Sequence, residues 1–142
     1  MLSLVPQNDS GELAAALTAA RLPSDDIQED GRQFWRAIDE AGTVIGYGGI
    51  EGRGGDLLLR SVVVLPARRG SGLGRALIDA LLREAKGAGG KRVWLLTTDA
   101  ADFFGHLGFE RKDRGEAPAV VTQSRQFTAL CPASAMVMAR SV

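Results

Sequence analysis

Cysteine is almost missing from this chain: Cys131 is the only one in 142 residues. A single thiol excludes an internal disulfide and a cysteine-based zinc cage. Net charge is missing too, since 17 Lys and Arg balance 17 Asp and Glu, and the pI is near 6.6. The chain therefore carries no electrostatic footprint for nucleic acid or an anionic membrane surface. No apolar run approaches the roughly 18 residues of a membrane span, and the first residues lack the basic segment of a signal peptide. Repeats and low-complexity tracts are absent. Hydrophobic content of 45% and charged content of 24% are ordinary for a globular domain. The expectation is one domain over residues 1–142, cytoplasmic and without a metal, long enough to bury a core.

What is present centres on residues 57–82, LLLRSVVVLPARRGSGLGRALIDALL. An apolar, β-branched run ends at Pro66, a glycine-rich turn follows, and an amphipathic helix continues with Leu73, Leu77, Ile78, Leu81, Leu82 and Ala85 on one stripe. A strand feeding such a turn places unpaired backbone N–H groups at a helix N-terminus, which is an anion site. Glycines let a phosphate approach the backbone, and Arg68, Arg69 and Arg75 add positive charge. The spacing is neither G-x-G-x-x-G nor G-x-x-x-x-G-K-[ST], so neither a dinucleotide fold nor a P-loop is supported.

Taken in order, residues 2–5 form a short strand before Pro6. Asn8, Asp9 and Ser10 offer caps for a helix carrying Leu13, Ala16, Leu17 and Ala20. Residues 22–31 are polar; Asp25, Asp26, Glu29 and Asp30 are expected in a solvated loop, the alternative being a loop that faces a cationic amine. Strands at 33–38 and 43–50 flank a turn at 40–42, and Gly46, Gly48 and Gly49 signal a bulge or a close backbone approach. After the glycine loop and its helix come a strand at 92–98, a short helix at 100–107 capped by Asp99, an extended segment from Phe109, a helix from Pro118 to about Arg125, and a last strand at 133–139. The fold class is mixed α/β. Trp35 and Trp94 read as core or pocket walls, and Cys131 as a small buried hydrophobe. His106 lies near a helix C-terminus, where a cation is favoured anyway, and takes no catalytic role.

Arg69-Gly70-Ser71-Gly72-Leu73-Gly74, read as R-x-x-G-x-G after a V-x-V-x-P strand, resembles the acetyl-CoA motif of the GNAT N-acetyltransferase superfamily. Residues 97–109 resemble the T-T-x-A-x-x-F-F-x-x-x-G-F signature of members that acetylate amino acids, and residues 59–64 resemble the same branch. Residues 126–135 resemble the tail of the arsenic-resistance N-acetyltransferases. The resemblance implies the GNAT fold: a central, mostly antiparallel sheet flanked by helices, in which a parallel fourth and fifth strand splay apart. It implies acetyl-CoA as co-substrate, a small-molecule amine as acceptor and an acyltransferase activity, with a role in arsenic or antimetabolite resistance among the candidates. A homodimer stays open.

Carried over by residue, the resemblance implies that Val62 and Val64 bind pantetheine through main-chain groups. Arg69, Gly70, Ser71, Gly72, Leu73, Gly74 and Arg75 would line the pyrophosphate, and Phe103 and Phe104 would flank the cofactor. Many members carry a tyrosine acid where this chain has Phe104, and the only tyrosine, Tyr47, lies on another strand. A thiol leaving group, with a pKa near 8.5, departs largely as thiolate without one.

The chemistry also needs a base for the ammonium, an oxyanion donor from the 62–64 backbone, and a cation for an acidic acceptor. Glu51 or an acid from Asp25/Asp26 is the candidate base. Arg60 and Arg125 are the candidates to hold a carboxylate, phosphinate or arsinate. Strand alternation places Arg60, Val62 and Val64 on one face. A single cysteine argues against thiol capture of arsenic. Two rival functions stand beside acetyl transfer to a small amine: a non-catalytic acetyl-CoA sensor, encouraged by Phe104, and a protein acetyltransferase, which needs an open groove.

Overall fold

The computed structural model describes residues 2–7, 10–22, 24, 26–70, 72–124, 127 and 135–142. Along the chain run β1 (Ser3–Pro6), α1 (Ser10–Ala19), β2 (Arg32–Ile38), β3 (Val44–Glu51), β4 (Asp56–Val64), α2 (Leu73–Gly87), β5 (Arg92–Thr97), α3 (Ala101–His106), β6 (Glu110–Lys112), α4 (Ala119–Thr122) and β7 (Met136–Ser141). The strands form one seven-stranded sheet in the order β1-β2-β3-β4-β5-β7-β6. All neighbours are antiparallel except β4 and β5. No helix among the described residues is long and apolar enough to cross a membrane.

The apolar run of β4 makes it the central strand, because both of its faces are covered. Leu57 and Leu59 pack with Leu77, Ile78, Leu81 and Ala85 of α2. Leu58 turns the other way, onto Trp94 and Val121. On that second face α1 seats Leu13 and Leu17 against Phe34, Tyr47 and Val63. Gly48 permits the α2 approach, since a Cβ there would collide with the Leu81 side chain. The β2–β3 turn is tied by Asp39, whose Oδ1 accepts from Ala41 N and Thr43 N at 3.0 Å each. Arg68 Nη2 donates to Asp39 Oδ2 at 2.9 Å, docking the segment after β4 onto that hairpin.

Two local expectations are corrected. Asp99 does not cap α3: Ala100 occupies that position without a side-chain cap of its own, and its N–H donates instead to Thr97 Oγ1 at 3.0 Å. Asp26 is not solvated. It is fully buried, because two arginines neutralise it.

Candidate active site

The sheet opens where β4 leaves β5. The two pair only through Asp56, Leu57 and Leu58 against Arg92, Val93 and Trp94, then diverge. β4 also carries a bulge: Arg60 pairs with Gly49 and Val63 with Tyr47, so Ser61 and Val62 stand opposite Gly48 alone. Ser61 takes φ 59, a left-handed conformation unusual for a residue with a side chain. The bulge reverses the alternation expected from sequence. Arg60 lies on the α1 face, over the Phe34 ring at 5.5 Å, while Val62 and Val64 pack with the α2 cluster. The glycine signal in β3 marks this same bulge.

Leu65 N donates to Ile45 O at 2.8 Å, so alternation turns the backbone groups of Val62 and Val64 toward the splay rather than toward β3. Val64 O there accepts from Arg69 Nε at 2.9 Å. Beyond Arg69, Gly70 and Gly72 take φ 88 and 75, with open space where a Cβ would lie. Gly72 is the N-cap of α2, and no described side chain caps the helix. The first helical hydrogen bond is Ala76 N to Gly72 O. The N–H groups of Leu73, Gly74 and Arg75 precede it and project from the positive end of a 15-residue helix.

Between these parts lies a cleft of about 430 Å³. Its walls include Val62 and Val64, Gly74 at the start of α2, residues 95–99 and Phe103 with Phe104. Phe103 is the exposed large apolar side chain among the described residues, at 42%, and rests edge-on against Phe104 with centroids 5.2 Å apart. Phe104 in turn meets Phe109 edge-on at 5.6 Å. A larger cavity of about 650 Å³ lies near Trp35, Arg53, Glu84 and Gly87. It sits at the C-terminal, electronegative end of α2 and suits an anion less well.

On the α1 face, Glu51, Arg60, Asp26 and Arg32 form one ion-pair network, with Arg32 at its partly exposed edge, where it also meets Glu29. Arg60 grips Asp26 with both ends of its fork, Nη2 to Oδ1 at 2.6 Å and Nη1 to Oδ2 at 2.5 Å. Nη1 also reaches Glu51 Oε1 at 2.8 Å, and Nε donates to Ser61 Oγ at 3.1 Å. Arg32 Nε lies 3.1 Å from Asp26 Oδ2 and 3.5 Å from Glu51 Oε1. Burial pushes the Asp26 carboxyl up, but the hydrogen bonds and charge of Arg60, then of Arg32, outweigh it and hold it below the usual carboxylate value. Asp26 is therefore a weak candidate base. Burial of Arg60 favours its neutral form; Asp26 and then Glu51 more than reverse this and fix the cation.

From the sequence, Glu51 is a candidate base and Arg60 a separate candidate to hold the acceptor anion; the structure places the two side chains in contact. Sequence reasoning did not single out Arg32. The signal was available, because Arg32 lies two residues before buried Phe34 and so shares its face. Arg60 itself, two residues after Leu58 in an apolar central strand, required an acidic partner. Its fork is taken by Asp26, and only one of its five N–H groups is left without a described partner. Ser71, Asp25 and Arg125, the other residues named from sequence, lie outside the described residues, as does the 128–134 segment with Cys131.

Comparison with known proteins fits this geometry. A family model described as an acetyltransferase (GNAT) domain matches residues 30–111, more than half of the chain. The chain is 36% identical over 93 residues to the uncharacterized N-acetyltransferase YjgM of Escherichia coli, covering 60% of this chain and 55% of that protein. It is 37% identical over 86 residues to an amino-acid acetyltransferase of Mycobacterium tuberculosis, covering 58% and 49%. The chain thus spans about half the length of these two relatives. N-acetylglutamate synthase of Neisseria gonorrhoeae, solved with coenzyme A and N-acetylglutamate, superposes with TM-score 0.80 at 18% identity, over 99% of this chain and 35% of that one. That last likeness is one of fold. The chain belongs to the acetyltransferase (GNAT) family.

Proposed function

We propose that this GNAT-family chain is an acetyl-CoA-dependent N-acetyltransferase acting on the amine of a small amino-acid-like acceptor. The observation that carries the reading is the cleft in the β4–β5 splay, with a helix N-terminus that no described side chain caps at one end, and Val62 and Val64, past the last β4–β5 pair, along its wall. The residues present fit the co-substrate. Gly70 and Gly72 have open space where a Cβ would lie, room for a pyrophosphate that Ser71, Leu73 and Gly74 would line with them, and Arg69 and Arg75 would supply charge. Val62 and Val64 would pair with the pantetheine arm, and Phe103 and Phe104 would wall it in. Acetyl-CoA supplies the activated acetyl thioester.

The chain's own part is to position and polarise. A backbone N–H of the Val62–Val64 strand would donate to the thioester oxygen as charge develops on it. Glu51 is the proposed base, acting on the acceptor ammonium directly or through water. Arg60 acts through it: the guanidinium holds Glu51 and Asp26 together and is the positioning residue of the network. Arg125 remains a proposed acceptor contact. An amino-acid acceptor is supported by the amino-acid acetyltransferase among the relatives, and a phosphinic or arsinic glutamate analogue by the resemblance of residues 126–135.

The test measures free thiol released from acetyl-CoA across amino acids and their phosphinic and arsinic analogues, with N-acetyl product identified by mass spectrometry. Acceptor-dependent release supports the reading. Tight acetyl-CoA binding in calorimetry with no release above the acceptor-free rate would instead support a non-catalytic sensor, the reading that Phe104 favours.

A further inference from the structure

We propose that Arg21 holds the anionic group of the acceptor, and so selects amines that carry a carboxylate or a comparable oxyanion; the inference rests on the acetyl-transfer reading above. Among the described residues, two side-chain-bearing positions take left-handed backbone: Ser61 at φ 59 and Arg21 at φ 60. Both line the same cleft. The first belongs to the bulge that shapes the site. The second has no such account yet.

Arg21 sits just past the C-terminus of α1, where the chain makes a Schellman closure. Leu22 N donates to Leu17 O at 2.8 Å and Arg21 N to Thr18 O at 3.1 Å, and Leu22 packs on the Leu13–Leu17 cluster. The left-handed residue in this closure is usually glycine, because a Cβ there is strained. The closure explains the backbone but not the choice of arginine. A strained, long, cationic side chain at a cleft is accounted for if the cation is used.

The other arginines lining or bordering the cleft are committed. Arg60 is gripped by Asp26 and Glu51, Arg32 joins the same network, and Arg69 is bonded to Val64 O beside the glycine loop. Arg21 is exposed and has no ion pair or side-chain hydrogen bond with any described residue. It also approaches from the proper side. The glycine loop opens at the α2 end of the cleft, whereas Arg21 follows α1, which packs on the opposite face of the sheet. Two ligands entering from opposite faces meet in the splay, and the guanidinium fork matches a carboxylate's two oxygens.

The experiment uses the full chain and measures thiol release from acetyl-CoA with the common L-amino acids and with their carboxamides. Wild type, Arg21→Gln and Arg21→Gly are compared. The ratio of kcat/KM for amino acid over carboxamide is expected to fall about tenfold in both variants, through the acceptor KM. Arg21→Gly should at the same time raise Tm by about 2–4 °C, because it relieves the backbone. A ratio that does not fall overturns the assignment, and so does a lowered Tm in Arg21→Gly. If wild type releases no thiol with any acceptor, acetyl transfer itself fails and Arg21 falls with it; release with an unchanged ratio fails Arg21 alone.

Discussion

Arg60 shows how one residue in the wrong surroundings organises its neighbours. It is 3% exposed in the middle of an apolar strand, a position tolerable for a cation only with carboxylates against it. Removing one partner of such a pair leaves a buried charge, so Arg60→Gln and Asp26→Asn should each destabilise the fold by about 3–5 kcal/mol in urea unfolding. The pH dependence follows from the sign of the Asp26 shift. Its folded carboxyl titrates below its ordinary value of 3.8, so the stabilisation is present above that value and is lost as pH falls through the lower folded one. Wild type should lose stability steeply below about pH 4, whereas Asp26→Asn should start lower and show a flatter slope. Equal slopes would remove Asp26 from the acid transition. Phe104 makes a different point. Its ring is held edge-on between Phe103 and Phe109, and the thiolate departs with little help. Phe104→Tyr should therefore change kcat by far less than the 10²–10⁴-fold typical of a general acid; a large gain would show that a missing proton donor limits the chain.

At the scale of elements, the strand, glycine loop and helix of residues 57–82 were legible because each part states its own conformation. β-branched residues extend, Pro66 stops, glycines allow positive φ, and leucines recur at helical spacing. The loop's two kinds of glycine differ, however. Gly72 has φ 75, so any side chain there mixes strain with charge. Gly74 is helical, and a Cβ would meet the Phe103 ring at an ordinary 3.6 Å. Gly74→Glu is thus the cleaner probe. A carboxylate in the first turn stabilises a helix by about 0.3–1 kcal/mol, and it should repel a bound pyrophosphate. Calorimetry should show acetyl-CoA binding largely abolished while the Tm of the ligand-free protein holds or rises. Intact affinity in that variant would remove the anion from the helix N-terminus. The bulge was legible only from its partner strand, through Gly46, Gly48 and Gly49. Its effect on β4 was not, because a one-residue insertion flips every later side chain and leaves no mark in the bulged strand's own pattern.

At the scale of the molecule, the site exists because two parallel strands pair for three residues and then part. Order and class of elements were readable from periodicity and breakers. The joining of Asp26, Arg32, Glu51 and Arg60 was not, since it links a loop to three strands through contacts distant in sequence. In the proposed function, acetyl-CoA lies in this splay, along β4 and onto the start of α2. Amide hydrogen exchange with and without acetyl-CoA tests this placement most directly. Protection should appear at Val62, Val64 and residues 72–75, and be absent around Arg53, Glu84 and Gly87 at the other cavity. Protection confined to that second cavity, or no protection at saturating acetyl-CoA, would contradict the account.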